Sequence, residues 1–264
     1  MNTNDLTITS LETITAFSLG GDYLFTLDEL QSATIAHTEE KNDITGKGGT
    51  KISSLKRNKA VTISGNNGMV SNGLLAAQVG GKLESRESIR VLWTDYLTVK
   101  DNSAETTYKA VGTTGAEIKA IMVRTTDGTA GASFTQNATV GEGKFTYADK
   151  KITFAEGALA DGTEIVVFYD RNIKGNYLEN NSNSYSAKVQ LYVDALGEDK
   201  CGNIYHVQFY IPKADFSGEF DLEMGENQTV HAFSADALSG ACGIGAAKTL
   251  WTYTVFGQNA ADVA

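Results

Sequence analysis

Three histidines (His37, His206, His231), two cysteines (Cys201, Cys242) and 32 carboxylates are the groups with which this 264-residue chain could do acid-base, nucleophilic or metal chemistry. No histidine is spaced to share a metal with a cysteine or another histidine on one element, and the two cysteines lie too far apart for a zinc knuckle. Both are expected as free thiols. Gly46-Lys47-Gly48-Gly49-Thr50 has the composition of a phosphate loop, but its lysine precedes the last glycines, where nucleotide binding needs Gly-Lys-Ser/Thr after four spacer residues. Gly240-Ala241-Cys242-Gly243-Ile244-Gly245 is glycine-rich without a strand-helix-strand context, so it reads as a turn. The Asp-Gly-Thr sequences at Asp127 and Asp161 lack the ligand spacing of a calcium loop and read as hairpin turns. No Gly-x-Ser-x-Gly elbow occurs. These residues point to a protein that is not an enzyme and holds no cofactor or metal.

Charge narrows the partners. Twenty-two basic against 32 acidic side chains leave a net charge of −10, which opposes tight nucleic-acid binding because such binding rests on counterion release by Lys and Arg. A protein that must avoid gripping DNA is allowed by the same balance. The start, Met1 to Leu6, has no basic or apolar leader pattern, so synthesis in the cytoplasm is expected and the sequons at Asn137, Asn180 and Asn227 are idle. The longest apolar run, Ile165 to Tyr169, is far short of the ~20 residues that span a bilayer, so no membrane insertion is expected.

One proline beside 27 glycines is the composition of long strands joined by Gly, Asn and Asp turns. Period-2 alternation is strongest late in the chain. Ala187, Val189, Leu191 and Val193 share one face, and Tyr205, Val207, Phe209 and Ile211 another, with turn-rich Glu198 to Asn203 between them, which predicts a hairpin. Phe216 to Met224 alternates in the same way, and Trp251 to Phe256 closes the series. Tyr23 to Leu27 and the region of Val61 and Ile63 supply earlier strands. One helix is predicted through Met69, Val70, Gly73, Leu74 and Ala77, preceded by Asn66-Asn67 and ended by Gly80-Gly81.

Two stretches interrupt this grammar. Thr38 to Lys59 is polar and reads as a long, locally basic loop; structureless loops beyond ~12–15 residues in compact domains are usually functional or disordered. Residues 104–172 read as short strands at Glu117–Val123, Lys144–Tyr147, Lys151–Phe154 and Glu164–Tyr169, with the Asn/Ser-rich stretch Asn172 to Ser184 as a return linker. The expected organisation is a main domain in two parts, 1–103 and 173–264, with a small β module inserted at 104–172.

Three segments together resemble the major tail tube proteins of long-tailed bacteriophages, particularly those infecting Gram-positive bacteria. They are Asp43 to Thr50 with the Lys-rich strand after it and the Gly73 to Gln78 helix; Asp161 to Asp170; and Ala187 to Tyr192 through Phe209 to Phe216 to the glycine-rich turn and Trp251. The resemblance spans nearly the whole chain through diffuse patterns. It implies a mainly β protein, an antiparallel β-sandwich with one flanking α-helix, that forms hexameric rings stacked into a tube through which double-stranded DNA passes without specific binding. Its partners would be further copies of itself and other tail proteins at the tube ends, its place the virion tail. The family has no catalytic residues to carry over.

Strand edges without proline defence suit such a role, because an open edge is a hazard unless pairing is its purpose. The expected inter-ring contact is Asp43, Ile44, Thr45, Gly46, Lys47, Gly48, Gly49, Lys51, Lys56 and Arg57, with Lys59 beside them. These would face acidic groups including Glu198, Asp199, Glu219, Asp221 and Glu223. Were Phe216 to Met224 one strand, Glu219, Asp221 and Glu223 would share the face opposite its core residues, and around a ring they would line the channel and keep DNA mobile by repulsion. The inserted module would project outside the tube. A virion decoration or adhesin protein would instead form a small oligomer, and a β-fold cell-wall hydrolase would need a pocket with perturbed carboxylates.

Overall fold

The computed structural model describes residues 5–125, 127, 129–223, 225, 230–239 and 248–257. The chain divides into two compact units, the first made of residues up to Leu83 and from Leu178 on, the second of Glu84–Tyr177. The first contributes β1 (Thr7–Ser18), β2 (Tyr23–Leu27), β3 (Leu30–Thr45), β4 (Lys51–Asn67) and α1 (Asn72–Val79). The second holds β5 (Glu84–Thr98), β6 (Ser103–Glu105), β7 (Ile118–Arg124), β8 (Ala130–Gln136), β9 (Lys144–Ala148), β10 (Lys151–Phe154) and β11 (Glu164–Tyr177). The chain then returns to the first unit through β12 (Lys188–Glu198), β13 (Ile204–Phe216), β14 (Leu222–Glu223), β15 (Val230–Ala237) and β16 (Thr252–Gly257). The protein is mainly β with one α-helix among the described residues, the class its sequence indicates.

Each unit has its own sheet. In the first the order is β2-β1-β12-β13-β15-β4-β3, with β14 on β15 and β16 on β13, every pair antiparallel. The expected hairpin is β12–β13, paired from Lys188 against Asp215 to Glu198 against Ile204. Alternate residues of these strands enter one core: Ile14 and Ala16 from β1, Val61 and Ile63 from β4, Val189, Leu191 and Val193 from β12, and Phe233 and Ala235 from β15. Leu74 and Ala77 of α1 join the same cluster, so the helix packs on this core, and Ala76, Gln78 and Val79 are buried as well.

The helix begins later than its sequence pattern indicates. Ser71 is the N-cap, its Oγ accepting from the Leu74 N–H at 3.3 Å, while Met69 and Val70 are exposed ahead of it. Asn66 and Asn67 are unavailable as caps because both are paired in the β3 and β15 ladders. The expected stop is present: Gly80 adopts φ +66°, and a Cβ there would stand 1.9 Å from the Tyr185 carbonyl oxygen.

In the second unit the order is β5-β11-β7-β8-β9-β10-β6, antiparallel except for the short β8–β9 pair. Ile121, Phe145, Ile152, Ile165, Val167 and Tyr169 form its separate core. This unit takes in β5, which the sequence pattern left with the main domain, and Asn172 to Tyr177, which extends β11 instead of forming a linker. The β9–β10 turn is the expected Asp149-Lys150, both with positive φ, as a two-residue hairpin turn requires.

The strand expected over Phe216 to Met224 is interrupted. The β13 strand ends at Phe216, the Ser217 Oγ accepts from the Glu219 N–H in a local turn, and only Leu222 and Glu223 rejoin the sheet. Met224 and the segment Gly240 to Gly245, with Cys242, lie outside the described residues; Cys201 is exposed.

Candidate functional site

The polar stretch from Thr38 to Lys59 is not a loop. The β3 and β4 strands pair continuously from Leu30 against Asn67 to Thr45 against Lys51, whereas β15 accompanies β4 only from Thr62 to Asn67. Beyond Thr62 the two strands therefore run on as a ribbon with no third strand among the described residues, and nearly every residue between Thr38 and Ala60 is exposed. At its tip Gly46 N–H donates to the Thr50 carbonyl at 2.7 Å and Gly49 N–H to the Gly46 carbonyl at 3.1 Å, with Gly48 and Gly49 at φ +78° and +80°. Glycine is the residue that takes up this backbone without steric cost.

The residues expected to make the contact all lie on this arm. Asp43, Ile44 and Thr45 end β3, Gly46, Lys47, Gly48 and Gly49 make the turn, and Lys51, Lys56 and Arg57 belong to β4. Charge on it is partly matched internally, through Lys51 to Asp43 and Lys56 to Glu39, both at 2.7 Å, and Arg57 to Glu40 at 3.8 Å. The hydrogen bond from Lys56, with its charge, holds the Glu39 carboxyl below its ordinary range. Lys41, Lys47 and Lys59 have no ion-pair partner among the described residues, and Lys41 stands directly opposite Lys56 in the ladder. Three large apolar side chains are left in water: Ile44 is 44% exposed, Leu55 59% and Ile52 70%.

The acidic residues named from sequence are not one group. Asp199 is spent inside the β12–β13 turn, accepting from the N–H groups of Cys201 at 2.8 Å and Asn203 at 3.0 Å. Glu219, Asp221 and Glu223 are exposed, with Phe220 and Leu222 half-buried between them. This alternation survives although the residues do not form one strand, so the strand argument for a channel-facing position has no basis in the backbone.

Register places Asp221 and Glu223 at the opposite end of the same strand pair from the arm. Asn67, the last residue of β4, pairs with Leu30 and with His231, and His231 pairs with Leu222. The Gly68 N–H donates to the Glu29 carbonyl at 2.8 Å, which brings Asp28 and Glu29 to that end too. Met69 and Val70, 61% and 41% exposed, follow directly. Sequence reasoning passed over Asp28 and Glu29, since only pairing between strands far apart in the chain assembles them with Asp221.

Beneath this end lies a buried polar network. His231 is wholly buried, its Nδ1 accepting from the Ser71 N–H at 3.2 Å, so the proton sits on Nε2 and is donated to Gln78 Oε1 at 2.8 Å. Gln78 in turn donates to the Ala232 carbonyl at 2.9 Å. Burial holds the His231 pKa below its ordinary value. The unfolded chain therefore takes up a proton near pH 6.5 that the folded protein refuses, so this contribution is complete above pH 6.5 and shrinks as pH falls below it. Urea unfolding at pH 7.5 and 5.5 should show the loss, at most about 1.4 kcal/mol per pH unit for one proton, and His231→Gln should flatten it. An equal pH dependence in that variant would assign the effect to other groups.

Among the described residues no cluster of His, Cys, Asp and Glu is arranged to hold a metal ion. A groove of about 480 Å³ beside α1 is lined by residues including Tyr23, Gly73, Tyr185 and Lys82, with no carboxylate, histidine or cysteine among its described lining residues. Among the described residues the most exposed feature of the first unit is the β3–β4 arm, which is open to solvent on both faces. A family model, the YomU/Tube protein family, matches residues 6–247. The chain belongs to the YomU/Tube protein family. The match runs through both units, the arm included. Comparison with curated proteins finds no match. No helix is long and apolar enough to cross a membrane among the described residues.

Proposed function

We propose that this protein is the structural subunit of a bacteriophage tail tube, polymerising with copies of itself as stacked hexameric rings that conduct DNA passively during ejection. The observation that carries this reading is the β3–β4 arm. A two-stranded ribbon by itself is at best marginally stable in water, yet this one extends for eight residue pairs with apolar side chains exposed. Such an arm gains its stability from a surface it docks on, and head-to-tail contact between identical subunits generates a closed ring or an open stack. Membership of a family named for a tube supports the same reading. The reaction repertoire of an enzyme is not needed, and the virion, with other tail proteins at the tube ends, is the setting.

Sedimentation over a range of concentration and salt, with negative-stain microscopy, tests this directly. Rings and tubes are the expected species at high concentration, and strictly monomeric protein under every condition would refute the proposal. All nine strands of the first sheet lie in the first unit, and Glu84 and Tyr177 are paired neighbours where the chain enters and leaves the second. Excising Glu84 to Tyr177 and joining Leu83 to Leu178 by a short Gly/Ser bridge should therefore preserve tube formation. Unfolding of the remaining chain would show the second unit to be indispensable.

A further inference from the structure

We infer that the arm of one copy docks on the far end of the β3–β4 pair of the next copy, with Met69 and Val70 at the centre and Asp28, Glu29, Asp221 and Glu223 around them; this rests on the tube reading above. Net charge separates along the chain in the required sense. Residues 38–59 hold six basic and three acidic side chains, the rest of the first unit five basic and sixteen acidic, and the second unit eleven basic and thirteen acidic. The arm is thus the cationic part of an anionic protein, and another copy's first unit is its natural complement.

Geometry sharpens the choice of surface. The cationic tip at Lys51 and the acidic end at Asn67 terminate one continuous strand, β4, so they lie roughly 50 Å apart and face opposite ways along it. A copy cannot fold its own arm back to that end without breaking the ladder. Translation of a second copy along the strand direction brings tip to end, the head-to-tail relation that an open stack needs.

Both surfaces combine exposed apolar side chains with charge of opposite sign. On the arm Ile44 and Leu55 share one face of the ribbon, Lys41 and Lys56 stand on the other, and Lys47 and Lys51 lie at the tip; Met69 and Val70 lie near the four carboxylates, which make no ion pair among the described residues. Apolar centre with polar rim is the anatomy of protein interfaces. A further observation sits at the same end: Asn67, 3% exposed, has no hydrogen-bond partner for its side-chain oxygen among the described residues. An unpaired buried acceptor is costly, and the Lys41–Lys56 opposition on the arm is the matching cost at the other surface.

Cross-linking tests this. In a Cys201→Ser, Cys242→Ser background, Leu55→Cys combined with Met69→Cys should give, on mild oxidation of assembled protein, a ladder of covalent multimers, while either cysteine alone should stop at dimers. Assembly without a ladder would overturn the docking while leaving the tube reading intact; absence of assembly in the parent chain would instead strike the tube reading. Charge reversal supplies a second arm. Asp221→Lys with Glu223→Lys should raise the critical concentration at least about tenfold, as should Lys47→Glu with Lys59→Glu, and combining both pairs in one chain should restore most of the loss. Unaltered assembly in the Asp221/Glu223 variant would remove these carboxylates from the interface and favour a channel-facing position for them.

Discussion

Deleting Asp43 to Lys51 is expected to leave the fold unchanged and to abolish stacking. The deletion suits the register, since Asn42 lies opposite Leu55 and the shortened ribbon closes over Ile52, Ser53 and Ser54 as a three-residue loop. What is lost is Ile44, Lys47, Lys51 and the glycine tip, none of them in either core. Surface removal of this kind typically changes stability by less than about 0.5 kcal/mol, so the thermal midpoint should hardly move. The assembly effect is of another order. If the arm is the main axial contact, sedimentation should show rings or free subunits at concentrations where the parent protein is fully tubular. Normal tubes from the shortened chain would reduce the arm to a solvated excursion and move the axial contact elsewhere.

The second large effect concerns stability and lies in the second unit. Asp95 is 6% exposed and accepts four hydrogen bonds. Trp93 Nε1–H and Thr107 Oγ–H donate to one oxygen at 3.0 Å each, and Thr107 N–H at 2.7 Å and Tyr169 O–H at 2.8 Å to the other. The Tyr169 oxygen accepts in turn from the Tyr108 N–H at 3.0 Å. Burial pushes the Asp95 carboxyl upward, but the bonds from Thr107, Tyr169 and Trp93 outweigh it and hold it below the ordinary carboxylate value. Burial and the carboxylate also push the Tyr169 hydroxyl far upward, so it stays a donor at all working pH.

Asp95→Ala leaves these donors unpaired, at about 1–3 kcal/mol for each that water cannot reach, so a loss of about 3 kcal/mol or more is expected. For a unit of this size that lowers its thermal midpoint by more than about 10 °C. Asp95→Asn keeps the volume but turns one acceptor into a donor facing donors, and should recover only part of the loss. Because the folded pKa is lowered, the contribution is complete above the unfolded value near 3.9 and disappears as pH falls through the folded one. A change of less than about 2 °C in Asp95→Ala, by calorimetry, would show that water satisfies the orphaned donors.

How much of this was legible in advance depended on burial. The β12–β13 hairpin could be read because Val189, Leu191 and Val193 alternate into a core, and alternation of apolar and polar residues is the trace that a half-buried strand leaves in a sequence. The helix stop at Gly80 was legible for a related reason, since a left-handed residue after an apolar stripe is a local requirement.

The arm was not legible as strands, because neither of its faces is buried. Its ladder is held by backbone hydrogen bonds, which every residue type except proline can make, so Thr38 to Lys59 looks like a loop and pairs like a hairpin. The strand over Phe216 to Met224 failed the other way. Its side chains alternate in exposure as a strand's would, but the backbone partner is present only at Leu222 and Glu223. Composition and local periodicity by themselves determined a mainly β, anionic chain with an α-helix ending at Gly80. Only the tertiary structure decided that a cationic tip and an acidic, apolar-centred end stand at opposite ends of one strand, because Asp28, Asn67 and Asp221 meet through the register of β3, β4, β14 and β15, and register between distant strands is set by the packed core as a whole.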